Sequence, residues 1–282
     1  MNTAPITGGD FSCVLTRLHA EPAVLVVVRH TEGSVPREAG AWMAVFAGDT
    51  VGTIGGGQLE WAAEARARAL LAQPAPMPPP QRVPLGPSLG QCCGGVVHLE
   101  WQAVTAADVP ALRRRWQAAL TPVALFGGGH VGRALVQALA PLPFALHWVD
   151  SRDGVFPLEL PATVRAEHSD PVHRAVADLA PGSQVLVMSF SHAEDLDVVH
   201  ACLVRRRERQ DLPFVGLIGS RTKWATFRRR LSERGWGAAE LDGITCPIGL
   251  PGIAGKAPAV IAASVAAQLL LVGEAPAGTG GA

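Results

Sequence analysis

Apolar and polar residues follow two different rhythms along this chain. Over the first hundred residues the apolar runs are short and separated by turns. "AVLVVVRH", residues 23–30, predicts a strand, preceded by a helical pattern from Phe11 to Ala20. "GAWMAVF" and "TVGTI" predict two more strands around the turn "AGD". "GQLEWAAEARARALLA" predicts a helix, with apolar spacing at Leu59, Ala62, Ala63, Leu70 and Leu71, directly behind Gly55, Gly56 and Gly57. "QPAPMPPPQ" breaks the pattern. Its prolines cannot form helix or central strand, so residues 74–81 are expected to be an extended connector. "GVVHLEW" then predicts another strand.

From Thr121 the rhythm changes. "PVALFGGGHVGRALVQALAPL" predicts strand, glycine turn and helix, and "FALHWVDSR" predicts a strand ending on an acid. "QVLVMSFSH", "DLDVVHACLVRRRER" and "FVGLIGSR" continue the alternation, which is that of a doubly wound parallel sheet. The longest apolar stretch, residues 257–272, contains Pro258, Ser264 and Gln268 and is short for a membrane span, so it reads as a buried helix. The expected fold class is α/β: an N-terminal α+β domain over 1–118, a Rossmann-like domain over 119–273, and a disordered tail over 274–282.

Composition narrows the function classes. Hydrophobic residues make up 48% of the 282, enough for a sizeable core. Lys plus Arg and Asp plus Glu balance at 24 each, which gives no general argument for nucleic acid or an acidic membrane as partner. Cys13, Cys92, Cys93, Cys202 and Cys246 form an odd set without framework spacing, which suits a reducing compartment. The N-terminus lacks the basic region and apolar run of a signal peptide, so a soluble, cytoplasmic protein is expected.

Four constellations could carry chemistry. Gly127-x-Gly129-x-x-Gly132 lies between a strand and a helix, and Asp150 ends the next strand at the usual distance for a ribose partner. Arg152, just beyond, leaves the phosphate state of any nucleotide open. "SFSHAEDLD" offers His192, Asp195 and Asp197, and "GSRTKW" offers Ser220, Arg221 and Lys223. Cations at a helix start oppose its dipole, so Arg221 and Lys223 point to an anion partner. In the first domain Gly55, Gly56 and Gly57 could form a second anion cradle, with Glu60 early in the helix and Arg37 on a neighbouring turn. Finally, "GQCCGG" sets Cys92 and Cys93 among glycines. Adjacent thiols bond each other poorly, and they lack the spacing of a zinc half-site. Exposed thiols become useful when a nearby positive charge lowers their pKa, and soft sulfur suits a soft metal or a sulfur relay.

Taken together, "EGSVPREAGAWM", "GTIGGGQLEW", "LGPSLGQCCGG", "LFGGGHVGRAL", "FSHAEDL", "LIGSRTKW" and "CPIGLPGIAGKAP" resemble the XdhC/CoxI family, from about Val24 to Leu271. The resemblance implies a family-specific N-terminal domain before the Rossmann-like one, and a homodimer. It implies an accessory protein rather than a stand-alone enzyme, one that binds the molybdenum cofactor, molybdopterin. Such a chaperone protects the cofactor while a cysteine desulfurase replaces Mo=O by Mo=S, and hands it to apo xanthine dehydrogenase. Cys93 matches the cysteine shared across the wider family and is the candidate sulfur ligand of the molybdenum, with Cys92 assisting. Gly55, Gly56, Gly57, Gln58, Arg37, Gly127, Gly129, Gly132, Asp150, His192, Ser220, Arg221 and Lys223 are candidate cofactor contacts. Other branches carry a cysteine where this chain has Gln58, and acids around Pro258 where it has Ala257 and Ala259. Two other readings stay open: an NAD(P)-dependent oxidoreductase, and a non-catalytic scaffold that docks the dehydrogenase. A nucleotide or dinucleotide of its own in the Rossmann-like domain also stays open.

Overall fold

The computed structural model describes residues 6–7, 11–73, 76–86 and 94–274, and the chain divides into two compact units, Met1–Leu120 and Thr121–Ala282. Both Cys92 and Cys93 lie outside the described residues, as do residues 275–282, where a disordered tail was expected.

The first unit is an antiparallel sheet of five strands. These are β1 (Ala23–Glu32), β2 (Trp42–Val45), β3 (Thr50–Gly52), β4 (Gln81–Pro84) and β5 (Val96–Val104), in the order β3-β2-β1-β5-β4. Central β1 has six consecutive buried residues because both faces of the sheet are covered. Leu25 and Val27 join a cluster with Phe11, Val14 and Leu15 of α1 (Ser12–Arg17) and Leu112 and Trp116 of α3 (Val109–Gln117), Phe11 being the residue that caps the start of α1. Val24, Val26 and Val28 join another with Leu59, Ala63 and Ala67 of α2 (Gly57–Ala72). Strand β4 was not legible in the sequence. It follows the proline run and sits at the sheet edge against β5, where Pro84 needs no partner on its outer side.

The second unit is an all-parallel sheet in the order β11-β10-β9-β6-β7-β8, the doubly wound arrangement expected. Its strands are β6 (Thr121–Phe126), β7 (Phe144–Asp150), β8 (Val164–His168), β9 (Gln184–Val187), β10 (Phe214–Leu217) and β11 (Ile244–Thr245). On one face lie α4 (His130–Leu139) and α8 (Pro258–Glu274), burying Leu135, Leu139, Val265 and Leu269. On the other lie α5 (His192–Arg209) and α6 (Arg221–Glu233), burying Val199, Leu203, Phe227 and Leu231. Short α7 (Ala238–Asp242) precedes β11. Strand order reverses between β6 and β9, so the loops leaving β6, β7, β9 and β10 gather around the crevice where open α/β sheets take their ligands. Helix α8 is buried along one side only, with Leu271 56% exposed on the other. Among the described residues no helix is long and apolar enough to cross a membrane.

Candidate functional site

The glycine turn after β6 is built as its spacing requires. Gly127 adopts φ +125°, and a Cβ there would lie 2.0 Å from the Met188 carbonyl oxygen, so only glycine fits. A Cβ on Gly132 would lie 2.1 Å from the Gly127 carbonyl oxygen, which is why α4 can pack so close to the turn. The indole of Trp148 donates to that carbonyl at 2.9 Å and pins it. Gly129 differs: it is exposed, with nothing within 4 Å of its Cβ direction. Gly129 is the open face of the turn.

Asp150 is 1% exposed and already fully engaged. Its Oδ2 accepts from Gly128 N at 2.5 Å and Arg152 Nη2 at 2.9 Å; its Oδ1 accepts from Arg152 N and Nε, each at 2.9 Å. Burial alone would raise this carboxyl. The Arg152 side chain and the Arg152 and Gly128 backbone N–H groups outweigh it and hold Asp150 below the usual carboxylate range. The expectation of a free ribose acceptor therefore needs correcting, because the acceptor positions of Asp150 are filled from within the chain. Arg152 was legible as a neighbour; its fork onto Asp150 was not.

The loops after β9 and β10 are tied together. Asp195 accepts from Ser189 N at 2.7 Å through Oδ1 and from Lys223 Nζ at 2.6 Å through Oδ2. Lys223 Nζ also donates to the Ile218 carbonyl at 2.9 Å. Lys223 is thus half-buried and bonded within the chain, while still lining the pocket beside Ser220, so it does not form an exposed pair with Arg221. Ser220 caps α6 by accepting from Lys223 N at 3.1 Å, while Arg221 is exposed. His192 is exposed at the start of α5, edge-on to Phe227 with ring centres 6.3 Å apart. A pocket of about 390 Å³ brings His192, Ser220 and Lys223 together with Thr222, Thr226 and Arg230. Arg230 carried no signal in the sequence, since only the helical turn brings it to this wall. A larger hollow of about 530 Å³ lies along α5 near His173 and His200, away from these loops. Arg205 in its wall is spent on Asp211 and on the Val176 and Leu179 carbonyls, so that hollow is framework.

In the first unit the anion cradle is occupied by the chain itself. Glu60 Oε2 accepts from Ile54 N at 3.0 Å, from Gly56 N at 3.1 Å and from the Thr53 hydroxyl. A carboxylate therefore sits where a ligand anion was expected behind Gly55, Gly56 and Gly57. Arg37 lies against this turn, donating to the Thr53 carbonyl at 3.4 Å, and Gln58 is exposed beside it. A Cβ on Gly55 would come within 2.6 Å of Pro36. A Cβ on Gly95 would come within 2.3 Å of the Ser34 carbonyl oxygen. The 34–37 turn, the 53–58 turn and the residue two places after Cys93 thus converge at one end of the strands. Leu85 N donates to the Gly95 carbonyl at 2.8 Å, closing the base of the β4–β5 connection in which both thiols lie.

Of the described cysteines, Cys202 is buried and pushed up to about 12 by desolvation. The half-buried Cys246 is also raised by burial, against the lowering effect of Lys223. Neither offers a ready thiolate. Among the described residues no group of three or more His, Cys, Asp and Glu is placed to hold a metal ion.

Residues 123–269 match the model of the XdhC Rossmann domain, and residues 17–77 match that of the XdhC and CoxI family. The Escherichia coli K12 protein YqeB is 27% identical over 263 residues, which span 91% of this chain but 45% of YqeB. The chain therefore spans less than half the length of that relative. A crystal structure described as a xanthine dehydrogenase from Bacillus halodurans superposes with a TM-score of 0.70, covering 93% of this chain and 95% of that one at 19% identity. That likeness shows a shared fold.

Proposed function

Because the chain belongs to the XdhC and CoxI family, we propose that it is an accessory protein of xanthine dehydrogenase: it binds the molybdenum cofactor, supports its sulfuration, and passes it to the apo-enzyme. The observation that carries this reading is the convergence of the 34–37 turn, the glycine turn at 53–58 and Gly95 beside the thiol pair. A cargo with a soft metal at one end and a phosphate at the other needs sulfur and cations together, and this chain has both.

The residues fit such a cargo unevenly. The amides of the first glycine turn are taken by Glu60, so the first unit would contribute Arg37, Gln58 and the thiols of Cys92 and Cys93. Taken by itself, the second unit offers the open Gly129, Arg152, and the pocket around His192, Ser220 and Arg230 to an anionic ligand. When bound, the molybdenum supplies the centre at which oxygen is exchanged for sulfur. Cys93 would hold the metal, or its thiolate would accept the outer sulfur of a persulfide carried by a cysteine desulfurase, whose own thiolate is the leaving group, with Cys92 assisting. Glycines on either side let the backbone approach a bulky tricyclic ligand.

An NAD(P)-dependent oxidoreductase explains only the second unit, and the filled Asp150 argues against it. Purified protein dialysed to equilibrium and assayed for pterin and molybdenum tests the proposal. Co-retention of both, and loss of both on transfer to apo-dehydrogenase, is expected. Nicotinamide retention alone would favour the oxidoreductase, and retention of neither would favour a docking scaffold.

A further inference from the structure

The crevice of the second unit has the glycine turn of a dinucleotide site, yet its ribose position is filled. Three observations meet there. Asp150, which would receive the ribose hydroxyls, is buried, with both oxygens spent on Arg152 and Gly128. The Arg152 guanidinium carbon lies over the Phe190 ring, 4.7 Å from its centre, so a second element holds the fork in place. Above Gly128 the Val155 side chain comes within 2.7 Å of the Cβ direction, and Arg133 Nη2 holds the Val155 carbonyl at 2.9 Å. The loop after β7 therefore covers the nucleoside side of the turn, while Gly129 on its other side stays open.

We infer that Arg152 is the specificity-determining residue of this crevice: latched on Asp150, it closes the site to the ribose of a nucleoside and presents its remaining N–H groups to an anion. The ligand class that follows is a compound ending in a bare phosphate or pyrophosphate. Arg152 spends Nε and Nη2 on Asp150, which leaves Nη1 for an outside acceptor. Its side chain is 36% exposed, so the group can be reached from solvent. A ribose diol could take its usual place only by displacing a charge-assisted fork with two neutral hydroxyls, which is the weaker set of bonds. The inference deepens the cofactor reading, since it favours a cargo ending in phosphate over one extended by a nucleotide.

The test uses the full chain and titration calorimetry with ADP-ribose and with inorganic pyrophosphate. Neither probe carries a pterin or a metal, so the result is independent of whether molybdopterin is the cargo. The wild type should bind pyrophosphate and bind ADP-ribose more weakly. Arg152→Ala should reverse this order, gaining on the order of tenfold for ADP-ribose and losing a similar factor for pyrophosphate. Phe190 is 67% exposed, so Phe190→Ala leaves the core alone and provides the second variant if Arg152→Ala does not fold. It frees the guanidinium without touching the bonds of Asp150, and should gain about two- to fivefold for ADP-ribose. Wild-type binding of ADP-ribose as tight as that of the variants would overturn the inference. So would a folded variant that shows no gain.

Discussion

Lys223 Nζ lies 2.6 Å from Asp195 Oδ2, with both side chains largely buried, at 12% and 3% exposure. The other oxygen of Asp195 holds Ser189 N, so one carboxylate joins the ends of two adjacent strands. Removing the cation leaves that charge buried and unpaired. Lys223→Ala should therefore cost about 3 kcal/mol in urea unfolding. Arg221→Ala should stay within about 0.5 kcal/mol of wild type. Arg221→Ala should instead flatten the salt dependence of anion binding. Equal stability of the two variants would show that the buried pair contributes nothing net.

The glycines of the turn after β6 should separate fold from ligand. Gly127→Ala places a Cβ against the Met188 carbonyl oxygen at a φ that disfavours side chains, and should unfold the second unit or cost several kcal/mol, about 3 or more. Gly129→Val meets no neighbour within the chain, so circular dichroism and the melting curve should be close to wild type. Pyrophosphate binding should be lost. A Gly129→Val protein that binds pyrophosphate normally would make the turn purely architectural.

Glu60 offers a contrasting case, an internal carboxylate in place of a ligand. Glu60→Ala frees the N–H groups of Ile54 and Gly56, and should destabilise the first unit by about 1–3 kcal/mol. Added phosphate should then raise its melting temperature more than it raises that of the wild type, by filling the vacated amides. A phosphate response identical in both proteins would show that the turn is closed for reasons other than Glu60.

Acid stability should report on Asp150. Its folded carboxyl sits below the ordinary value, so its stabilisation is present above about pH 4 and is lost as the pH falls through the folded value. Arg152→Ala removes the side-chain bonds that lower the carboxyl and leaves burial in place, so the depression shrinks and with it the stability lost on acidification. Urea midpoints measured from about pH 3 to about pH 7 should therefore fall less with acid for Arg152→Ala than for the wild type. Parallel slopes would mean that Arg152 does not set the state of Asp150.

The thiols carry the strongest functional expectation. Cys93→Ser keeps size and hydrogen bonding but cannot act as a soft ligand. It should leave the fold intact and abolish both cofactor retention and activation of apo-dehydrogenase. Cys92→Ser should be milder, and the double change complete. Full activation by the double serine protein would reduce the thiols to bystanders.

The architecture of each unit is legible in the pattern of apolar and polar residues. A run such as "AVLVVV" can be buried only where a sheet is covered on both faces, and β1 is so covered. The β-α alternation after Thr121 admits little but a parallel sheet, because each crossover helix must return over it. Short edge strands such as β4, β8 and β11 were illegible, since few or no buried positions distinguish them from loop. For the site, local chemistry named the right turns but could not assign their partners. That Lys223 faces Asp195 is settled by two strands lying side by side, whereas Asp150 and Glu60 take their partners from their own turns, through the backbone path the folded units impose. A charged side chain drawn into a low-dielectric crevice must find a counter-charge or donors there; for Lys223 that partner depends on strand order, and for Asp150 and Glu60 on loop path, neither of which residue spacing encodes.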